Sequence, residues 1–191
     1  MDQFIKHIKS VHPLSQQTIN EFSKILIEKK YLAKYLICKI GITPHKISFL
    51  KSGIARIFIV LPKEKEYNKA IFTSGDIIGC FTGLISKKPS KYTIECLTDC
   101  EVIEFEYEKF ISLVENNNDL ASFHIKNLEK LYLTNYKRSL DHLTLNATER
   151  YLELREQIID IDILIPQKQI ANHLAITSIQ LSRIRKKLKN I

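Results

Sequence analysis

The segment Pro166–Ile191, PQKQIANHLAITSIQLSRIRKKLKNI, constrains the fold most, because it carries two short apolar stripes and no acid. At helical spacing Ile170, Ala171 and Leu174 line one face. Ala175-Ile176-Thr177 interrupts that face, and Leu181, Ile184 and Leu188 line a second. The pattern predicts two short helices joined by a tight turn. Thr177 is suited to cap the second helix, its hydroxyl accepting an amide of the first turn. The far side of that helix carries Ile179, Ser182, Arg183 and Lys186.

Charge separates this hairpin from an ordinary one. From Ile163 onward there is no Asp or Glu, and Lys168, Arg183, Arg185, Lys186, Lys187 and Lys189 supply six of the chain's net eight positive charges. A local field of that sign suits a polyanion. A merely solvated basic helix would show the charge alone, whereas here the apolar residues also fall in the register of a helix-turn-helix. Counting Gln167 as the first position, Ala171 stands where a small residue lets the helices touch. Ile170, Leu174, Ile176, Leu181 and Ile184 stand at the packing positions. Ala175 occupies the turn position that favours glycine, where positive φ costs an alanine about 1 kcal/mol. The segment reads as a DNA-binding helix-turn-helix.

The remainder is compatible with a larger protein around that unit. The chain has 191 residues, 45% of them apolar, enough for one large domain or two small ones. No run approaches the roughly 18 uncharged apolar residues of a membrane span. The start, MDQFIKHIKSVHPLS, lacks the apolar core and cleavage site of a signal peptide. Cys38, Cys80, Cys96 and Cys100 form no CxxC and lie in apolar or strand-like surroundings, which predicts reduced thiols in a cytoplasmic protein and no zinc site. A Gly-rich phosphate loop, HExxH and GxSxG are all missing, and the six histidines have no ligand spacing. An enzyme is therefore not expected, nor a metal or other cofactor.

In chain order, residues 1–10 predict a short amphipathic helix with Phe4, Ile5 and Ile8 on one side. Pro13 ends it, and Ser15 caps a second helix expected to run to about Lys30 with Ile19, Phe22, Ile25 and Leu26 inward. From Tyr35 to about Phe105 the runs YLICKI, KISFL, IARIFIVL, YNKAIFT, DIIGCF, YTIECL and EVIEFE are separated by turn residues. They predict seven or eight short strands closed into a sandwich or roll. Glu108–Glu115 then predicts a short helix, followed by a break at Asn116–Asp119. A long helix from Leu120 carries Ile125, Leu128, Tyr132, Tyr136, Leu140 and Leu143 as one stripe. A seam of that length is expected to meet the same helix of a second copy. Asn146 and Glu149 predict a capping box for the helix that follows.

Roll, long helix and helix-turn-helix, in this order, resemble the CRP/FNR superfamily of transcription regulators over essentially the whole chain. Phe49–Arg56 (FLKSGIAR) is similar to that family's strand-turn-strand motif, and Gly75–Gly79 (GDIIG) to its entry to the ligand cassette. Leu145–Tyr151 and Ile165–Arg185 are similar to one branch of it. The resemblance implies an α+β fold: an N-terminal antiparallel β-roll, a long dimerisation helix, and a C-terminal helix-turn-helix without a complete wing. The expected division is 1–115, 116–144 and 145–191. Implied partners are double-stranded DNA, a second copy, RNA polymerase and a small-molecule effector of unknown identity, with no membrane.

Site residues follow by position. The effector cassette comprises Gly79, Cys80, Phe81, Ser90, Lys91 and Tyr92. Cyclic-AMP-binding members carry a ribose-binding Glu where Cys80 stands and a phosphate-binding Arg where Ser90 stands. Lys91 offers only a point charge, so a response to cyclic AMP is not expected. The cysteine cluster of the iron–sulfur branch is also missing, since only Cys38 precedes the middle of the roll. For DNA the expected residues are Lys168, Thr177, Ser178, Ile179, Ser182, Arg183, Lys186 and Lys187, with Arg183 reading a guanine and Ile179 a thymine methyl. Up to Ile191 no hairpin wing follows, leaving its phosphate contacts to Lys186, Lys187 and Lys189. Ile125, Leu128, Tyr132, Tyr136 and Leu140 are the expected dimer interface. The alternative is an effector module whose C-terminal helices bind a protein; a helix of mixed charge would favour it, and this helix has no acid.

Overall fold

The computed structural model describes residues 2–189, without the side chains of Asp2, Glu64 and Lys189. The phosphate contact expected of Lys189 therefore lies outside the described side chains. Two helices, α1 (Asp2–Val11) and α2 (Gln16–Ser23), precede the strands. Ser15 caps α2, its side chain accepting from the Thr18 N–H. The helix ends at Ser23, short of the expected Lys30, because β1 (Ile27–Tyr31) is an edge strand paired antiparallel to β8 (Cys100–Glu106). Ladder hydrogen bonds outweigh the helix propensity of its lysines, which suit a strand edge.

The other strands are β2 (Leu36–Cys38), β3 (Lys46–Ser52), β4 (Ala55–Leu61), β5 (Lys65–Phe72), β6 (Ile77–Ile78) and β7 (Thr93–Cys96). They form two four-stranded sheets in the orders β1-β8-β3-β6 and β2-β7-β4-β5, antiparallel throughout. Leu50, Ile57, Ile78, Ile94 and Val102 fill the space between the sheets. The Gly53 turn between β3 and β4 has φ +93°, and a Cβ there would lie 2.3 Å from the Asp99 carbonyl oxygen. Only glycine fits that turn.

The DIIGCF run divides rather than forming one strand. Only Ile77 and Ile78 pair with β3, and α3 (Phe81–Ser86) follows, closed by Lys87 at φ +55°. Next come α4 (Tyr107–Val114) and α5 (Asn118–Thr144), the long helix, beginning two residues before the expected Leu120. Phe4, Phe22, Phe49, Phe105 and Phe110 form an aromatic core under the first sheet, joining α1, α2 and α4 to it.

The last elements are α6 (Ala147–Gln157), α7 (Ile161–Leu164), α8 (Gln167–His173) and α9 (Ser178–Lys189). Asn146 and Glu149 form the expected capping box. The single turn α7 has no sequence periodicity to announce it and follows Asp160 at φ +59°. Ile54 and Ile71 of the roll share one core with Tyr151, Leu154, Ile170, Leu174 and Leu181. The helix-turn-helix is therefore packed on the roll.

Candidate nucleic-acid interface and ligand cassette

Helices α8 and α9 meet through Ile170, Ala171, Leu174 and Leu181, none more than 1% exposed. Between them Ala175 has φ +57°, the strained conformation expected of this turn, and the Ile176 N–H donates to the Ala171 carbonyl at 3.0 Å. Thr177 caps α9: its Oγ1 accepts from the Gln180 N–H at 3.2 Å, and Gln180 Oε1 accepts from the Thr177 N–H at 2.8 Å. This reciprocal pair satisfies two groups that a helix start leaves open.

With Leu181 at the core, α9 turns Ser178, Ile179, Ser182, Arg183, Lys186 and Lys187 to solvent. Lys168 is exposed on α8, and Thr177 is exposed while holding its cap. Arg185 differs from its neighbours. It pairs with Asp162 and donates to the Tyr151 hydroxyl at 3.2 Å, while that hydroxyl donates to Asp162 Oδ2 at 2.5 Å. Counting Arg185 in an outward field overstates that field, because its charge is neutralised and pins α9 to α6 and α7.

The cassette residues come together at the mouth of α3. Cys80 is 1% exposed and Ser90 3%, and the Cys80 thiol donates to Ser90 Oγ at 3.2 Å. Ser90 Oγ in turn donates to the Tyr92 carbonyl at 2.6 Å and accepts from the Tyr92 N–H at 3.2 Å. Burial pushes the Cys80 thiol up, and its hydrogen bonds with Ser90, Tyr92, Gly83 and Thr82 together outweigh burial, leaving the pKa lowered. Gly79 is buried, Phe81 half-buried, and Lys91 exposed. The groups at positions 80 and 90 are thus spent on one another.

On α5, Ile125 (55%), Tyr132 (70%), Tyr136 (59%), Leu140 (44%) and Leu143 (85%) remain exposed. Leu128 is half-buried. Six ordered apolar groups on one helix face are an unusual surface for a lone chain.

A polar node joins the roll to α8, and spacing in the sequence gave no sign of it. Arg56 on β4 pairs with Glu66 and Glu95, each at 2.6 Å, and donates to Asn68 Oδ1 at 2.9 Å and Gln169 Oε1 at 2.8 Å. Asn68 Nδ2 donates to the Gln169 carbonyl at 2.8 Å. His173 Nδ1 donates to the Asn68 carbonyl at 2.9 Å, and desolvation pushes its pKa down to about 4. These partners are up to 113 residues apart. The node fixes the orientation of the first helix of the pair, and hence of the second.

Comparison with known proteins places this architecture. Residues 28–117 match the model of the cyclic nucleotide-binding domain. The c-di-GMP-responsive global regulator CLP of Xanthomonas campestris is similar in structure, with a TM-score of 0.70 and 17% identity over 92% of each chain. FixK2 from Bradyrhizobium japonicum has a TM-score of 0.72 and 18% identity over 87% of this chain and 85% of its own. A protein from Eubacterium rectale assigned to the CRP/FNR family of transcriptional regulators has a TM-score of 0.67 and 16% identity, over 92% of this chain and 84% of its own. No curated protein matches the sequence. Residues 28–117 thus match the cyclic nucleotide-binding domain, and about nine-tenths of the chain shares its fold with these proteins, one of them assigned to the CRP/FNR family.

Proposed function

We propose that the chain is a homodimeric, sequence-specific DNA-binding transcription regulator of the CRP/FNR type, unresponsive to cyclic AMP. The observation that carries this reading is α9: its apolar side packs on the core through buried Leu181 and half-buried Ile184 and Leu188, and its free side is exposed, basic and without an acid. Arg183 is the residue able to pair bidentately with a guanine, and Ile179, 66% exposed, offers a contact to a thymine methyl. Lys168, Lys186 and Lys187 meet phosphates, which fix register without carrying sequence. Residues 1–115 act as the sensor, 116–144 as the dimerisation helix and 145–191 as the reader. RNA polymerase is the further partner of a regulator bound near a promoter.

The exposed stripe of α5 supports dimerisation, because two readers must be held about 34 Å apart to meet successive half-sites. The mutual engagement of Cys80, Ser90 and Tyr92 supports the absence of a cyclic-AMP response. Selection from random DNA with wild type, Arg183→Ala and Lys187→Ala tests the reading. Arg183→Ala is expected to flatten base preference at one position per half-site. Lys187→Ala is expected to weaken all sequences alike and lower the salt slope by about one to two per dimer. An unchanged motif with Arg183→Ala would show that α9 is not the reader.

A further inference from the structure

A cavity lies between α5, the turn before β6, and α1; it shares Phe81 with the cassette and is not lined by Cys80, Ser90, Lys91 or Tyr92. Its inner volume is about 90 Å³. Phe72, Ile77, Phe81 and Leu131 form its apolar wall. Four groups at its rim can ionise: His7, Asp76, Lys130 and Arg138.

Neither cation there makes an ion pair among the described residues, although the Asp76 carboxylate acts through space on Arg138 and His7. Arg138 makes no hydrogen bond or ion pair among the described residues; its guanidinium carbon lies 5.9 Å from the centre of the Phe72 ring. Lys130 Nζ is likewise without an ion pair among the described residues. Asp76, the acid of the rim, is engaged, its Oδ2 accepting from the Thr73 N–H at 2.8 Å. His7 Nε2 is buried with no hydrogen-bond partner among the described residues. A buried polar atom without a partner costs about 1–3 kcal/mol, which a bound acceptor would relieve.

We propose that this cavity binds a small organic carboxylate with an apolar body. A carboxylate accepts hydrogen bonds only, and it fits the open fork of Arg138 bidentately. Neutral His7, protonated at Nε2, supplies a further donor. Phe72, Ile77, Phe81 and Leu131 take the body, and the inner volume admits one ring or a short acyl chain, well below the roughly 300 Å³ of a drug-sized site. Lys130 adds positive potential at the mouth without a fixed geometry.

The test uses the full chain, with benzoate and hexanoate as probes. Benzyl alcohol and hexanol lack the charge, and inorganic phosphate lacks the body. The carboxylates are expected to raise the melting temperature saturably at millimolar concentration and to move the methyl NMR signals of Ile77 and Leu131, but not that of Ile94 in the roll's interior. Arg138→Gln should raise the dissociation constant about tenfold, the worth of one charge-assisted pair. Should that variant not fold, the exposed Lys130→Gln gives the same test with a smaller shift. No binding, equal binding of the alcohols or of phosphate, or signals moving only around Tyr92 would each overturn the proposal. None of these readouts involves DNA, so they stand or fall independently of the regulator reading.

Discussion

Protonation of His173 should weaken the attachment of the helix-turn-helix to the roll. The ring sits against the Asn68 carbonyl, and desolvation pushes its pKa from 6.5 to about 4. Arg138, His142 and Arg150 line the adjoining cavity and oppose a further positive charge, while Asp141 and Glu153 on the same wall are engaged by Lys137. An unfolded chain protonates this histidine below about pH 6.5 and the folded chain only below about pH 4. Between those values the unfolded state binds more protons, so stability rises with pH and is lost on acidification. The contribution is complete above pH 6.5 and is diminished by about 2 kcal/mol at pH 5. Other histidines are depressed by burial and act in the same direction, so the measurement is the difference between wild type and His173→Asn. Urea unfolding of both at pH 7 and pH 5 should show wild type losing about 2 kcal/mol more than the variant. Equal losses, or a His173 ring that titrates near pH 6 by NMR, would refute the reasoning.

Ala175→Gly should stabilise the protein by roughly 0.5–1 kcal/mol, because relief of about 1–2 kcal/mol of left-handed strain exceeds the added entropy of the unfolded chain; a urea midpoint that falls would contradict this. Changing Leu128 and Tyr132 together to Asp should give folded monomers that bind DNA poorly, and a variant that still sediments as a dimer removes α5 as the seam. Millimolar cyclic AMP should leave the melting temperature unchanged, where a ligand at about 100 times its dissociation constant would add about 2.7 kcal/mol. A shift abolished by Lys91→Ala would instead make Lys91 the phosphate partner.

Local features were legible wherever one segment supplies both halves of an interaction. The Asn146–Glu149 capping box, the Thr177 cap and the strained Ala175 each depend on residues within a few positions of one another, and the sequence determined them. The same holds for the order of roll, long helix and helix pair, because hydrophobic period changes from 2 to 3.6 along the chain. The sequence misled where a distant strand decided the outcome. Ile27–Tyr31 carries helix-forming lysines, yet β8, more than seventy residues later, holds it as a strand. Tertiary structure alone decided that Arg185 is an internal brace, since its acid, Asp162, lies on another helix. It alone assembled Arg56, Asn68, Gln169 and His173, and left Arg138 without an ion pair among the described residues beside a cavity with an apolar wall. Periodicity reports which face of an element is buried but carries no information on which distant face it meets. Ion pairs between elements depend on that second fact, and only packing supplies it.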